Sequence, residues 1–344
     1  MTRVVMGFAW VLFLGTFAQA VETGPRTNTA VLNQGSFSYC TQYALATFLQ
    51  HWGNAERRAN EAEIPTLSAG FAAMSYNYEY CDGSRGTQVQ WMIAALQRYG
   101  IIPVGASPVE STVAWPNSNW SSQHGRLIPI DTLQRIVPAR YRHASHPQAF
   151  TGPQYLSERL RFSARDLRLV WSTHGETYPA SDSSSEDTTQ YRRDYATAEA
   201  RGQSLATAEG TSTSHADIAA STLYTLAVAQ LYQRKPVLFT IRSGLTSSQL
   251  QTYTTVGTPD LLENGSGRRG MHSIVGIGHC HRHQSTHPLC RRFTTQMTEK
   301  NIPECLVLQN SWGETSHDSG YVCVSRMASQ RILAGALLLK TIVD

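Results

Sequence analysis

Apolar side chains recur every three or four residues in the first hundred residues of the chain, a spacing typical of amphipathic helices. Three stretches show it: Cys40 to Trp52, Thr66 to Tyr76 and Thr87 to Arg98. Gly53 directly follows the first stretch, and because glycine commonly ends a helix, we expect that helix to stop there. The pattern predicts that the first part of the chain is helical.

The apolar pattern changes after residue 215. Helical spacing from Ala216 to Gln233 leads into the short apolar run Val237 to Ile241, which predicts a buried strand. Glycines and prolines separate three more predicted strands, at Ser273 to Gly278, Cys305 to Gln309 and Gly320 to Val324. The second part of the chain is therefore expected to be rich in strands.

Helices followed by strands predict an α+β fold with two subdomains that face each other across a cleft. We place the helical subdomain at about residues 31–104 and the strand-rich subdomain at about residues 216–344. Residues 105–215 differ from both, because short apolar patches such as Leu167 to Trp171 alternate there with polar stretches.

The first twenty residues have the pattern of a secretory signal peptide. Arg3 gives a basic start, Val4 to Phe17 is almost entirely apolar, and Ala18 to Ala20 fits a cleavage site. The apolar run is short for a membrane-spanning helix, and no later segment is long and apolar enough to span a bilayer. We expect a mature protein that begins near Val21, is secreted or periplasmic, and has no membrane partner after cleavage.

Composition narrows the range of partners. Hydrophobic residues make up 41% of the 344 residues and charged residues 16%, which is enough apolar material for a buried core. The net charge is only +4, and no basic block with interleaved aromatic residues occurs. We therefore expect no nucleic-acid partner, and the oligomeric state is left open.

In an oxidising compartment, the cysteines of this chain are expected to pair as disulfides. Four of the six lie near the C-terminus: Cys280, Cys290, Cys305 and Cys323. They could form two bridges, although the sequence does not determine which cysteines pair. The histidines of this region suggest zinc by composition, but their spacing matches no standard ligand pattern. We favour a disulfide-closed loop with solvated histidines, in an extended hairpin from His279 to Pro303, and expect no metal ion and no cofactor.

Four residues occur in an order typical of catalysis by a thiol. Cys40 opens the first predicted helix, whose positive end favours the reactive thiolate, and His272 is the candidate base beside it. Asn310 would orient the imidazole of His272. Gln34 would donate its side-chain amide to the developing oxyanion, together with the backbone N–H of Cys40.

The same segments resemble the papain-like cysteine proteases of the papain and cathepsin type. The resemblance covers about residues 31–103 and 216–326, and it leaves residues 105–215 unmatched as an insertion. The segments that carry it are Gln34-Gly35-Ser36 with Cys40, Leu67-Ser68, Cys81-Asp82-Gly83-Ser84, Pro236 to Ile241, Met271-His272-Ser273 to Gly278, and Asn310-Ser311-Trp312-Gly313 with Gly320-Tyr321.

The resemblance implies a two-subdomain fold, with a helical left subdomain and a β-barrel-like right subdomain, in one catalytic domain over residues 21–344. It implies an exported cysteine endopeptidase that hydrolyses a protein or peptide substrate, with Cys40, His272, Asn310 and Gln34 as the catalytic residues. The substrate-binding residues that it implies are Gly83, Ser84, Ser273 and Trp312.

Several positions depart from the family pattern. Phe37 stands where the family has a cysteine that bridges to the one resembling Cys81, which leaves Cys81 unpaired. Thr41 replaces an aromatic residue, Ser84 replaces a glycine, and Ser316-His317 lies where a second tryptophan is usual. Thr41, Tyr39 and Ser84 keep one alternative open, a catalytically silent papain-like binding protein. A second alternative keeps the same acyl-enzyme but transfers the acyl group to an amine, as a transpeptidase or amidase does.

Overall fold

The computed structural model describes residues 29–34, 39–56, 66–70, 72–73, 89, 92–93, 101, 167–171, 175–178, 215–242, 271–283 and 287–339. The helices with defined bounds are α1 (Cys40–Glu56), α2 (His215–Tyr232), α3 (Pro288–Glu299) and α4 (Arg326–Ile332). The strands are β1 (Leu167–Trp171), β2 (Gly175–Tyr178), β3 (Val237–Arg242), β4 (Met271–His281), β5 (Glu304–Gln309), β6 (Tyr321–Ser325) and β7 (Leu333–Leu339).

The strands form one seven-stranded sheet in the order β2-β1-β7-β3-β4-β5-β6. Every neighbouring pair is antiparallel. The last strand in the chain, β7, lies inside the sheet between β1 and β3. Because β1 and β2 belong to residues 105–215, part of that segment is built into the sheet.

The two faces of the sheet pack against different helices. On β5, Leu306 and Leu308 lie in a core with α2 and α4, whereas Cys305 and Val307 lie in a core with α1 and α3. This alternation follows from the two-residue repeat of side chains along a strand. The sheet is thus covered on both faces, and α1, which carries Cys40, packs against β4, which carries His272.

The predicted α+β class is confirmed, with a helical part and an antiparallel sheet. The helix predicted at Ala216 to Gln233 is α2, and the strand predicted at Val237 to Ile241 is β3. The other three predicted strands correspond to β4, β5 and β6, of which β4 is longer than expected. In the two remaining predicted helices, the described residues from Ala69 onward, among them Ala72, Val89 and Met92, are helical and buried, whereas residues 66–68 precede the helical part.

Two predictions about element bounds are wrong. α1 continues through Gly53 to Glu56. Residues 41–54 are all buried, so packing outweighs the cost of about 1 kcal/mol for glycine within a helix. The stretch expected as a hairpin from His279 to Pro303 contains α3. Pro288 occupies its first turn, and the side chain of His287 caps it by accepting a hydrogen bond from the Leu289 backbone N–H at 3.2 Å.

The four C-terminal cysteines form two disulfides, Cys280–Cys290 and Cys305–Cys323. The first ties β4 to the start of α3, and the second ties β5 to β6. No helix in the described ranges combines the length and the hydropathy needed to cross a bilayer. Residues 1–20 and Cys81 lie outside those ranges, so the predicted signal peptide and the predicted unpaired cysteine stay predictions.

Candidate active site

The segment before the first helix lies along the loop that follows β5. The Gln34 backbone N–H donates to the Ser311 carbonyl at 2.7 Å, and the Gly313 N–H donates to the Leu32 carbonyl at 3.0 Å. Gly313 has φ of 82°, and a Cβ there would lie 3.1–3.3 Å from side-chain atoms of Asn33. This pairing brings residue 34 next to residue 311, although the two are far apart in the sequence.

Gln34 is buried, and its orientation is set by Ser311. The Ser311 hydroxyl donates to Gln34 Oε1 at 2.5 Å. Because that oxygen faces Ser311, the donating Nε2 group of the same amide is directed away from it. Ser311 was not singled out from the sequence, yet it determines which end of Gln34 can act as a donor.

Cys40 is the first residue of α1 and the free cysteine of the described ranges. The Tyr43 N–H donates to the Tyr39 carbonyl at 3.1 Å, which closes the first helical turn around Cys40. No acidic residue lies in that turn, so the positive end of the helix dipole beside the thiol is not neutralised. Tyr39 is only 5% exposed and packs into the core.

The environment of Cys40 favours its thiolate. Burial raises the pKa of the thiol, but a hydrogen bond with His272 and the charge of that imidazole act in the opposite direction. The Ser273 backbone and the Thr41 side chain add further hydrogen bonds. Together these contacts outweigh burial and hold the pKa of Cys40 below its ordinary value. A lowered thiol pKa is the requirement for a nucleophilic cysteine.

Asn310 fixes the tautomer of His272. The Ser311 backbone N–H donates to the Asn310 side chain at 2.8 Å, so the accepting atom must be Oδ1. The same oxygen lies 2.9 Å from His272 Nε2, which must therefore carry the proton that it donates. The other ring nitrogen, Nδ1, is left to exchange a proton with Cys40. This arrangement is the one that a thiol–imidazole pair needs.

His317 completes the surroundings of Asn310. Its Nε2 lies 3.1 Å from Asn310 Nδ2, which can only donate, so His317 accepts this hydrogen bond. The Trp312 ring lies between two imidazoles, with its centroid 5.3 Å from that of His272 and 5.5 Å from that of His317. The sequence indicated His317 only as part of the replacement for a tryptophan, because no local pattern predicts its contact with Asn310.

Thr41 and Ser273 link the helix of the nucleophile to the strand of the base. Their hydroxyl oxygens lie 2.9 Å apart, and both residues are buried. Ser273 was expected to bind substrate from the resemblance alone. Its hydroxyl is engaged by Thr41 and its backbone hydrogen-bonds with Cys40, so the described contacts of Ser273 are with the nucleophile's helix, and substrate binding by Ser273 stays a prediction.

Six of the eight predicted site residues lie in this region, on α1, β4 and the two loop segments: Gln34, Cys40, His272, Ser273, Asn310 and Trp312. The structure brings the side chains of Cys40, His272 and Asn310 into one hydrogen-bonded series. The two remaining predicted substrate-binding residues, Gly83 and Ser84, lie outside the described residues.

Comparison with known proteins gives matches among solved structures. No protein-family model matches the chain. No curated protein matches it either. The chain is similar to xylellain, a cysteine protease from Xylella fastidiosa, with 13% identity and a TM-score of 0.43 over 95% of this chain and 88% of that one.

Two further solved structures are similar to this chain. PepW from Lactobacillus rhamnosis has 14% identity and a TM-score of 0.47 over 94% of this chain and 82% of that one. Digestive procathepsin L 3 of the Tenebrio molitor larval midgut has 13% identity and a TM-score of 0.38 over 92% and 69%. Because every TM-score is below 0.5, the functional inference rests on the side chains of the site.

Proposed function

We propose that this protein is an exported cysteine endopeptidase that hydrolyses peptide bonds through Cys40, His272 and Asn310, with Gln34 as oxyanion donor. The observation that carries the proposal is the hydrogen-bonded series from Cys40 to His272, whose far nitrogen donates to Asn310 Oδ1 at 2.9 Å, and this contact favours a lowered pKa of Cys40. A structural cysteine in a core has no need of either feature, since burial alone raises a thiol pKa.

In the first half of the reaction, the Cys40 thiolate attacks the carbonyl carbon of the peptide and a C–S bond forms. The carbonyl electron pair moves to oxygen, where the Cys40 backbone N–H and Gln34 Nε2 stabilise the negative charge. The oxyanion then collapses, and the C–N bond breaks as His272 Nδ1 gives its proton to the leaving amine. The product is a thioester on Cys40 and a neutral His272.

In the second half, His272 Nδ1 takes a proton from water, and the hydroxide attacks the thioester carbon. The second oxyanion uses the same two donors. When it collapses, the C–S bond breaks and the electron pair returns to Cys40 as thiolate, while the acid product leaves. Asn310 keeps the His272 ring in one plane throughout, because its Oδ1 accepts from Nε2 in both protonation states.

Export is part of the proposal. It is supported by the predicted signal peptide at residues 1–20 and by two disulfides, Cys280–Cys290 and Cys305–Cys323, which persist in oxidising compartments. Detection of the mature protein beginning near Val21 outside the cytoplasm would test it, and recovery of uncleaved protein from the cytoplasm would contradict it.

The test of catalysis is covalent labelling by a vinyl-sulfone probe, read at peptide level by mass spectrometry, together with hydrolysis of a denatured protein. We expect fast labelling at Cys40 that His272→Ala slows strongly, and hydrolysis that Cys40→Ala abolishes. Cys81→Ser is the matched control, since it removes the other predicted free thiol and should change neither readout.

Three outcomes would separate the alternatives. Labelling of Cys40 no faster than that of a free thiol, with no hydrolysis, would overturn catalysis in favour of a silent binding protein. Labelling with little hydrolysis, but with new amide products when an amine is added, would favour the transpeptidase or amidase. Full hydrolysis by the Cys40→Ala variant would exclude the proposed mechanism.

A further inference from the structure

A cluster of three potential metal ligands lies at the opposite end of β4 from His272. His279 and His281 project from the same face of that strand because they are two residues apart. Glu304 of β5 pairs directly with His281 in the antiparallel register. The three side chains meet on the face of the sheet that is covered by α2 and α4.

One distance within the cluster matches that of two ligands around a small cation, and the others are longer. His279 Nε2 lies 3.3 Å and His281 Nδ1 lies 3.9 Å from Glu304 Oε2. One ligand atom from each residue lies within 4.8 Å of the other two. Two ligands that are each about 2.0–2.1 Å from a tetrahedral zinc ion are about 3.3–3.4 Å apart. The distance between His279 Nε2 and Glu304 Oε2 already equals this spacing, and His281 Nδ1 would have to move closer to the other two atoms when an ion binds.

The outer atoms of two of the three residues, His281 and Glu304, are held by other residues. The Tyr232 hydroxyl lies 3.1 Å from His281 Nε2, and an Arg326 guanidinium nitrogen lies 3.1 Å from Glu304 Oε1. Metal-binding imidazoles and carboxylates usually have such partners on their outer atoms, and these partners orient the ligand and fix the tautomer. Here they leave His281 Nδ1 and Glu304 Oε2 directed toward His279.

We propose that His279 Nε2, His281 Nδ1 and Glu304 Oε2 bind a divalent first-row transition cation, for which zinc is the best fit. Two imidazoles and one carboxylate form a typical ligand set for zinc. The Tyr224 hydroxyl lies 3.0 Å from His279 Nε2 and is a further oxygen beside the cluster. The site is reached from the side of His281, whose side chain is 33% exposed, whereas that of His279 is 2% exposed.

The alternative is a purely structural ion pair between His279 and Glu304. A charge-assisted N–H···O hydrogen bond usually spans about 2.7–2.9 Å. The observed 3.3 Å is longer than that, and it equals the spacing expected of two ligands across an ion. The expectation of solvated histidines is wrong for His279, which is buried against Tyr224, whereas His281 is partly exposed and His283 is exposed. The sequence could not supply the third ligand, since Glu304 lies on a different strand.

A cation here would connect β4 and β5 on one face of the sheet. On the opposite face, the paired residues Cys280 and Cys305 each form a disulfide. His279 and His281 follow His272 by seven and nine residues on the same strand, which places the cluster roughly 23–30 Å from His272 at about 3.3 Å per residue. We therefore infer a structural role for the ion, independent of the proposed catalysis.

The test uses the mature, tag-free chain carrying Cys40→Ala, so that the catalytic thiol cannot bind the probe. After chelator treatment, the protein is titrated with zinc chloride by calorimetry, and its thermal unfolding is followed with and without zinc. We expect saturable binding of one ion and a higher Tm at saturation. His281→Ala and Glu304→Gln should weaken binding at least 100-fold, and Tyr232→Phe about tenfold.

His283→Ala is the matched control, because His283 is an exposed neighbour outside the cluster and its loss should leave the affinity unchanged. Circular dichroism checks that each variant is folded. A measurement on the parent chain does not depend on the variants: bound cobalt(II) should give the intense visible bands of a tetrahedral site. Absence of saturable binding, equal affinity in His281→Ala, or only the weak spectrum of hydrated cobalt(II) would overturn the proposal.

Discussion

Asn310 Nδ2 lies 3.1 Å from His317 Nε2, on the side of the amide opposite to His272. Oδ1 of the same amide accepts from His272 Nε2 at 2.9 Å and from the Ser311 N–H at 2.8 Å. Every polar atom of the Asn310 side chain is therefore engaged, and the amide cannot rotate without losing three hydrogen bonds. His317 thus acts on the proposed catalytic base through Asn310, as a positioning residue.

The first prediction concerns His317. Replacing it with alanine removes the acceptor for Asn310 Nδ2, so Asn310 holds His272 less firmly. We expect kcat for a peptide substrate to fall about fivefold, the equivalent of about 1 kcal/mol, with KM nearly unchanged. His317→Gln, which restores an acceptor, should recover part of the loss. Steady-state kinetics would check this, with Glu314→Ala, an exposed change in the same loop, as control. An unchanged kcat in His317→Ala would show that Asn310 needs no support.

The second prediction separates the two ends of the Gln34 amide. Gln34→Glu keeps an oxygen that can accept from the Ser311 hydroxyl but loses the Nε2 donor. If that donor stabilises the oxyanion, kcat should fall about 10²–10³-fold, although the contact with Ser311 is retained. Ser311→Ala should have a smaller effect, since it removes only the anchor.

Gln233→Glu, an equal charge change at an exposed position after α2, controls for net charge in the Gln34 experiment. Near-normal kcat in Gln34→Glu, with normal kcat in the control, would exclude Gln34 from oxyanion stabilisation and leave the Cys40 N–H as the donor.

The third prediction concerns Gly320, whose carbonyl accepts from the Asn310 N–H at 2.8 Å. Its φ of 86° is unfavourable for other residues, and a Cβ there would clash with Val31 Cγ1. Gly320→Ala should therefore lower the free energy of unfolding by about 1–3 kcal/mol. Adding Val31→Ala should recover the part of the loss caused by the clash. Chemical denaturation would measure both, and equal stability of Gly320→Ala and the parent would contradict the prediction.

The fourth prediction concerns the buried His51, whose Nε2 lies 2.6 Å from Gln309 Oε1 and 2.6 Å from Thr29 Oγ1. Burial lowers its pKa to about 4, against a weaker opposing effect of the hydrogen bond with Gln309. In the unfolded chain, His51 binds a proton as the pH falls below about 6.5, whereas in the folded state it stays neutral until the pH is near 4. The stability that neutral His51 contributes is therefore fully present above pH 6.5 and decreases as the pH falls toward 4.

Between pH 7 and pH 5, the contribution of His51 to the free energy of unfolding should decrease by about 2 kcal/mol. Urea denaturation at both pH values would measure it. In His51→Gln the decrease should be smaller by that amount, whereas His283→Gln, at an exposed histidine, should behave as the parent. An identical decrease in His51→Gln would assign the pH dependence to other groups.

Local elements were largely predictable. The bounds of α2 and β3 agree with the sequence within about one residue, because a repeat of 3.6 or 2 residues depends on neighbours in the chain. The predicted bounds were wrong where tertiary packing outweighed the local sequence pattern, or where a helical pattern was overlooked. Gly53 does not end α1, because its surroundings are buried, and α3 was mistaken for a hairpin despite Cys290, Phe293 and Met297 at helical spacing.

The sequence by itself determined the chemistry offered by this protein: a thiol at a helix start, an imidazole on a strand, and two amides in a recognisable order, Gln34 and Asn310. Only the tertiary structure decided that His317 supports Asn310, that Ser311 orients Gln34, and that Glu304 joins two histidines of the neighbouring strand. It also decided which cysteines pair. These relations join residues distant in the chain, and the packing of helices and strands creates them, so no local periodicity encodes them.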